Sequence, residues 1–81
     1  MKGRPMPKEI SIEYCTAWGY LKSAVSLAAE ILEKHKMNVG QLIIQPSDGG
    51  RFEIAIDGEL VFSKIETNRF PEHDEILAHL G

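Results

Sequence analysis

Within Glu13-Tyr14-Cys15-Thr16-Ala17-Trp18-Gly19-Tyr20 the hydrophobic period of the chain changes from two to about 3.6. Upstream, over Lys8–Cys15, Ile10, Ile12 and Tyr14 share one face of an alternating run, and Glu9, Ser11 and Glu13 share the other. Such a run is a strand with one buried and one wet face. A strand covered by helices on both faces would read as continuously apolar. Downstream, from about Trp18 to Lys36, Leu21, Ala24, Val25, Ala28, Ile31 and Leu32 recur at three- and four-residue spacing. That spacing predicts an amphipathic helix of about five turns. The wet strand face then requires the helices to lie on one side of a sheet, a two-layer α/β arrangement.

The rest of the chain extends this order. Glu30 and Lys34 form a favourable i,i+4 pair, and Asn38 and Gly40 bracket the helix exit. Val39–Gln45 reads as a second strand, so strand, crossover helix and strand predict a parallel pair. Pro46-Ser47-Asp48-Gly49-Gly50 reads as a loop. Phe52–Ile56 and Glu59–Ile65 flank Asp57-Gly58, a two-residue hairpin signal. Thr67-Asn68-Arg69 is polar loop, and Pro71 suits the first turn of a last helix, with Glu72, Asp74 and Glu75 at its positive end. The predicted order is β-α-β-β-β-α: a mixed four-stranded sheet with both helices on one face.

The 81 residues fit one domain, over residues 9–81, preceded by a leader at 1–8. Lys2, Arg4 and Lys8 make that leader basic, but it holds Pro5 and Pro7 and lacks the apolar stretch of a secretory signal, so it is expected to fray. The net charge of −3 and the scatter of the nine Lys and Arg argue against a nucleic-acid surface, which needs a concentrated basic patch. No apolar run approaches the roughly 20 residues that span a bilayer. A single cysteine makes no internal disulfide, and a reducing cytoplasm is the expected compartment.

Cys15 is the candidate reactive group. On this reading it ends a strand where a helix begins, so the helix dipole and free N–H groups favour its thiolate. The bland alternative is a small buried residue at a strand end. His35, His73 and His79 do not compose a metal site: His73 and His79 are six residues apart on different sides of a helix, and zinc lacks a ligand set with one cysteine. Gly49-Gly50 is followed by neither a helix nor a lysine, so it is not a phosphate loop and instead permits a tight return beside Cys15.

Several segments together resemble the selenoprotein W group of the selenoprotein W/T/H (Rdx) proteins. Tyr14-Cys15-Thr16-Ala17-Trp18-Gly19-Tyr20 is similar to that family's Tyr-Cys-x-x-selenocysteine-Gly-Tyr form, with tryptophan in the selenium position. Gly49-Gly50-Arg51-Phe52-Glu53-Ile54 is similar to its Gly-Gly-x-Phe-Glu segment. Asp57-Gly58-Glu59-Leu60 with Phe62-Ser63-Lys64 resembles its hairpin, and Arg69-Phe70-Pro71 the start of its final helix. The resemblance runs from Glu9 to the C-terminus and implies a thioredoxin-like fold.

It also implies thiol or selenol redox chemistry at Cys15 and position 18, with Thr16, Ala17, Gly49, Gly50 and Phe70 as binding residues. No cofactor is required, and glutathione or a redox protein would be the thiol partner. Trp18 cannot ionise or resolve a sulfenic acid, so a dithiol cycle within the written chain is excluded. Selenocysteine is encoded by UGA, one base from the tryptophan codon UGG, and Trp18 is read as replacing selenocysteine. The alternative is a non-catalytic thioredoxin-like module that docks protein through the same loop, Phe70 and the wet sheet face. Substrate, electron donor and oligomeric state are not set by these residues.

Overall fold

The computed structural model of the chain describes residues 7–80. Strand β1, Lys8–Cys15, buries Ile10 and Ile12 and leaves Glu9 exposed and Ser11 and Glu13 half-exposed. Helix α1, Tyr20–His35, buries Tyr20, Ala24, Leu27, Ala28 and Ile31. Strand β2, Val39–Ser47, pairs parallel to β1, with Ile10 opposite Leu42 and Cys15 opposite Ser47. Strands β3, Phe52–Ile56, and β4, Glu59–Ser63, complete a sheet of order β2-β1-β3-β4, both additional pairings being antiparallel. Two short helices follow, α2 at Lys64–Thr67 and α3 at His73–Leu77, and a 3₁₀ turn at Ala78–Leu80 closes the described chain.

The core lies between the helices and the inner faces of β1 and β3. Ile10, Ile12, Leu27, Ile31, Phe52, Ile54 and Ile76 are all below 2% exposed. Each such side chain contributes roughly 1.5–3 kcal/mol by leaving water. Asp57 and Gly58 both take positive φ, 53° and 83°, as a primed two-residue hairpin turn requires. Asp57 also fastens the hairpin tip to β1: its N–H donates to the Glu9 carbonyl at 2.7 Å, and its carboxylate accepts from the Glu9 N–H at 2.9 Å. The mixed sheet and two-layer architecture expected from the hydrophobic periods are present.

Four boundaries differ from the sequence reading. Helix α1 starts at Tyr20 instead of Trp18, because Trp18 and Gly19 are both left-handed, at φ 57° and 77°. Strand β2 runs on through Pro46 to Ser47; an edge strand tolerates proline because one side of it needs no ladder donor. Strand β4 ends at Ser63 instead of Ile65, because the Ser63 hydroxyl accepts from the Glu66 N–H and starts α2. The final helix begins at His73, two residues after Pro71, with Glu72 as its cap: the Glu72 N–H donates to the Glu75 carboxylate at 2.8 Å. As for the leader, residues 1–6 lie outside the described residues, and Lys8, assigned to it from sequence, belongs to β1. Among the described residues no helix is long and apolar enough to cross a membrane.

Candidate functional site

The site is built at the end of the sheet where β1 stops. The Cys15 N–H donates to the Arg51 carbonyl at 2.7 Å, and the Thr16 N–H to the Ser47 carbonyl at 3.1 Å. Cys15 is thereby held between the end of β2 and the loop that returns to β3. Its residue is 4% exposed and belongs to the apolar core. Thr16 is exposed and Ala17 half-buried. The chain then reverses through the left-handed pair Trp18-Gly19, which leaves Trp18 83% exposed.

This geometry corrects the expected source of reactivity. Helix α1 begins five residues beyond Cys15, and dipole effects fall off within the first turn. The N–H groups of Cys15 and Thr16 are already used by neighbouring carbonyls. Cys15 is thus a covered strand end, and position 18, three residues on, is presented to solvent, as are Thr16 and Gly19.

Tyr20 joins the remaining pieces. Its ring lies 6.4 Å from that of Trp18 and 4.9 Å from that of Phe70, the latter edge to face. Phe70 makes a second edge-to-face contact with Phe52 at 5.1 Å. A Cβ added to Gly50, at φ 76°, would lie 3.9 Å from the Tyr20 hydroxyl, and Gly49 is left-handed as well. The structure therefore brings Cys15, Thr16, Ala17, Trp18, the Gly49–Gly50 loop and Phe70 to one end of the domain, where Tyr20 lies against Trp18, Phe70 and Gly50.

Sequence reasoning missed Lys64. Its ammonium lies 5.4 Å from the Tyr20 ring centre and 5.3 Å from that of Phe70, within cation–π range of both. The early end of β4 produces this placement, and the only available signal was serine, a preferred helix cap, in front of Lys64. Arg51, which supplies the carbonyl for Cys15, donates through its guanidinium to the Asp48 carbonyl and carboxylate, both at 2.9 Å. The return loop is thus braced from within.

Near the C-terminus His73 is half-buried and His79 is exposed. His73 bonds Glu30 on α1, and Lys34 lies 3.2 Å from the same carboxylate. His73 and then Lys34 hold the Glu30 carboxyl below its usual value of 4.5. Among the described residues no cluster of three or more His, Cys, Asp or Glu is arranged to hold a metal ion.

The sequence model of the Rdx family matches residues 9–81. Migration and invasion enhancer 1 of Bos taurus and of Mus musculus are each 36% identical to the chain over 69 residues, 84% of its length. The matched region spans 57% of each of those relatives. The solved structure of the selenoprotein W-related protein from Vibrio cholerae superposes with a TM-score of 0.87 at 24% identity, over 91% of this chain and 92% of that one. A Bordetella parapertussis protein superposes with a TM-score of 0.81 at 28% identity, over 90% and 98%. With the fold, the segment order and the family match in agreement, this chain belongs to the Rdx family as a selenoprotein W/T/H-like member.

Proposed function

We propose that the chain is a thiol- or selenol-dependent redox protein that works through Cys15 and position 18. Membership of the Rdx family and the thioredoxin-like fold support a redox-type protein. The observation that carries the finer reading is the pairing of a buried Cys15 with an 83% exposed position 18 on a left-handed turn. In that arrangement the outer atom meets the oxidised substrate and Cys15 resolves it from beneath. This changes the role expected from sequence, in which Cys15 is the reactive thiolate. Tryptophan at 18 stands where the outer redox atom belongs, and we read it as replacing selenocysteine.

The chemistry balances with a chalcogen at both positions. With cysteine at 18, its thiolate attacks a peroxide oxygen, and the leaving alkoxide or hydroxide takes up a proton. The resulting sulfenic acid is attacked by the Cys15 thiol, which expels water and forms a disulfide between Cys15 and position 18. An external dithiol, or two molecules of glutathione, returns the two electrons. Selenium at 18 gives the corresponding selenenylsulfide. With Trp18, Cys15 alone can only exchange with an outside disulfide or form a sulfenic acid.

A second reading rests on the burial of Cys15. As written, the chain presents an aromatic face of Trp18 and Phe70 with no exposed thiol, which suits a protein-docking module. Trp18→Cys separates the two. The redox reading expects a mass loss of two hydrogens on mild oxidation, reversed by dithiothreitol and abolished by adding Cys15→Ser. A Trp18→Cys protein that stays reduced under the same oxidant sinks it. A UGG codon at position 18 of the native gene, without a selenocysteine insertion element, removes the selenium reading alone.

A further inference from the structure

We propose that the chain forms a two-fold dimer in which the outer edge of β2 pairs antiparallel with the same edge of a second copy. The inference does not depend on the redox reading.

The two edges of the sheet differ. The β4 edge is short, begins with Glu59 and carries Val61 as an extra residue in its pairing with β3. Charges and bulges of this kind block edge-to-edge pairing. The β2 edge is nine residues long, Val39-Gly40-Gln41-Leu42-Ile43-Ile44-Gln45-Pro46-Ser47, and carries no charge. β2 has an extra residue of its own, Gly40 in its pairing with β1, but Gly40 and Pro46 both lie outside the central five residues, so the stretch 41–45 is unguarded.

That stretch is nearly palindromic. An antiparallel pairing centred on Ile43 sets Ile43 opposite Ile43, Leu42 opposite Ile44, and Gln41 opposite Gln45. Every pair matches in polarity. The pairing also conserves faces: Ile43, Gln41 and Gln45 stay on the open face, while Leu42 and Ile44 stay under the helix. Ile43 is 44% exposed in the single chain, and pairing at the axis would cover it.

The helix layer is consistent with the same axis. Leu21, Val25 and Leu32 are each close to half exposed and fall within about 40° of one another around α1. Ser23, Ser26 and Leu27 line a groove with Phe52, Phe70 and His73, and Glu30 bonds His73, so the α3 side of the helix is the other flank. The apolar stripe therefore overhangs β2. The face is about 24 Å long with about 10 Å of helix above the strand. A face of that size places the dimer among weak, reversible associations, below roughly 1,200 Å² in total.

Sedimentation equilibrium of the full chain, from low micromolar to millimolar, tests this. The apparent mass is expected to climb from 9.1 kDa towards twice that value. Ile43→Lys, which sets two ammonium groups face to face at the axis, should weaken association at least tenfold. Ile65→Lys, at a site 56% exposed on α2, should leave the curve unchanged. In a second measurement, Ile43→Cys should oxidise to a covalent dimer faster than Ile65→Cys. A mass that stays at 9.1 kDa throughout overturns the proposal. A dimer indifferent to Ile43→Lys, or equal crosslinking at positions 43 and 65, overturns it as well.

Discussion

The rings of Tyr20 and Phe70 meet edge to face, 4.9 Å between centroids and 70° between planes. Tyr20 opens α1, and Phe70 precedes α3, so this contact fixes the C-terminal segment against the loop that carries Cys15 and Trp18. Phe52 on β3 receives the other side of Phe70. The sheet, the loop and the C-terminal segment are thereby held in one place by three rings.

Phe70→Ala is expected to destabilise the domain. Phe70 is 37% exposed, so the cost should fall below the 3–5 kcal/mol of a fully buried phenylalanine, at about 1–3 kcal/mol. Phe70→Leu restores apolar bulk but not the edge-to-face geometry, and should retain a deficit of about 0.5–1.5 kcal/mol. Urea denaturation curves of the three proteins measure both. An alanine variant as stable as the parent would show that the aromatic cluster does not anchor the segment.

Ser63→Ala should cost about 1–3 kcal/mol. The hydroxyl donates to the Glu53 carboxylate at 2.7 Å and accepts from the Glu66 N–H. Its loss removes a helix cap and leaves a half-buried carboxylate short of a donor. Ser63→Thr keeps the hydroxyl and should recover most of the difference. If the threonine and alanine variants melt together, the hydroxyl is not responsible.

Most of this fold was legible from side-chain period and turn chemistry. Ile10, Ile12 and Tyr14 against Glu9, Ser11 and Glu13 gave the one-sided β1, and Asp57-Gly58 gave the hairpin. What stayed hidden were local competitions. Ser63 caps a helix inside a run whose β-branched and aromatic neighbours favour a strand. Trp18 takes a left-handed conformation that its bulk disfavours, which detaches Cys15 from the helix terminus. Cys15, Trp18, Gly49, Gly50 and Phe70 were nameable through segment resemblance, and they do converge. Lys64 was not, because its position over Tyr20 and Phe70 depends on where β4 stops.

Gly19→Ala tests the turn that exposes position 18. Gly19 sits at φ 77°, and nothing lies within 4 Å of the Cβ that alanine would add. The cost is therefore backbone strain without a clash, about 1–2 kcal/mol. Trp18→Ala changes neither burial nor the sign of φ required there, and should stay within about 0.5 kcal/mol of the parent. Thermal melts of the two variants should differ in that order; equal melting points would mean that Gly19 does not need its left-handed conformation.

Acid should loosen the C-terminal segment through Glu75. The Arg69 guanidinium grips both carboxylate oxygens, at 2.7 and 3.1 Å, and the Glu72 N–H adds a third bond. Arg69 first, then Glu72, pull the Glu75 carboxyl from its usual 4.5 down to about 2. A carboxyl lowered on folding adds stability that is complete above its unfolded value and is lost as the pH falls towards the folded one. The melting temperature of the parent should therefore decline more steeply than that of Glu75→Gln between about pH 5 and pH 2, and the two curves should converge at the acid end. Because the pair faces solvent, high salt should shrink the gap between them at neutral pH. Parallel melting curves across the whole range would show that the Arg69–Glu75 pair contributes nothing to holding α3.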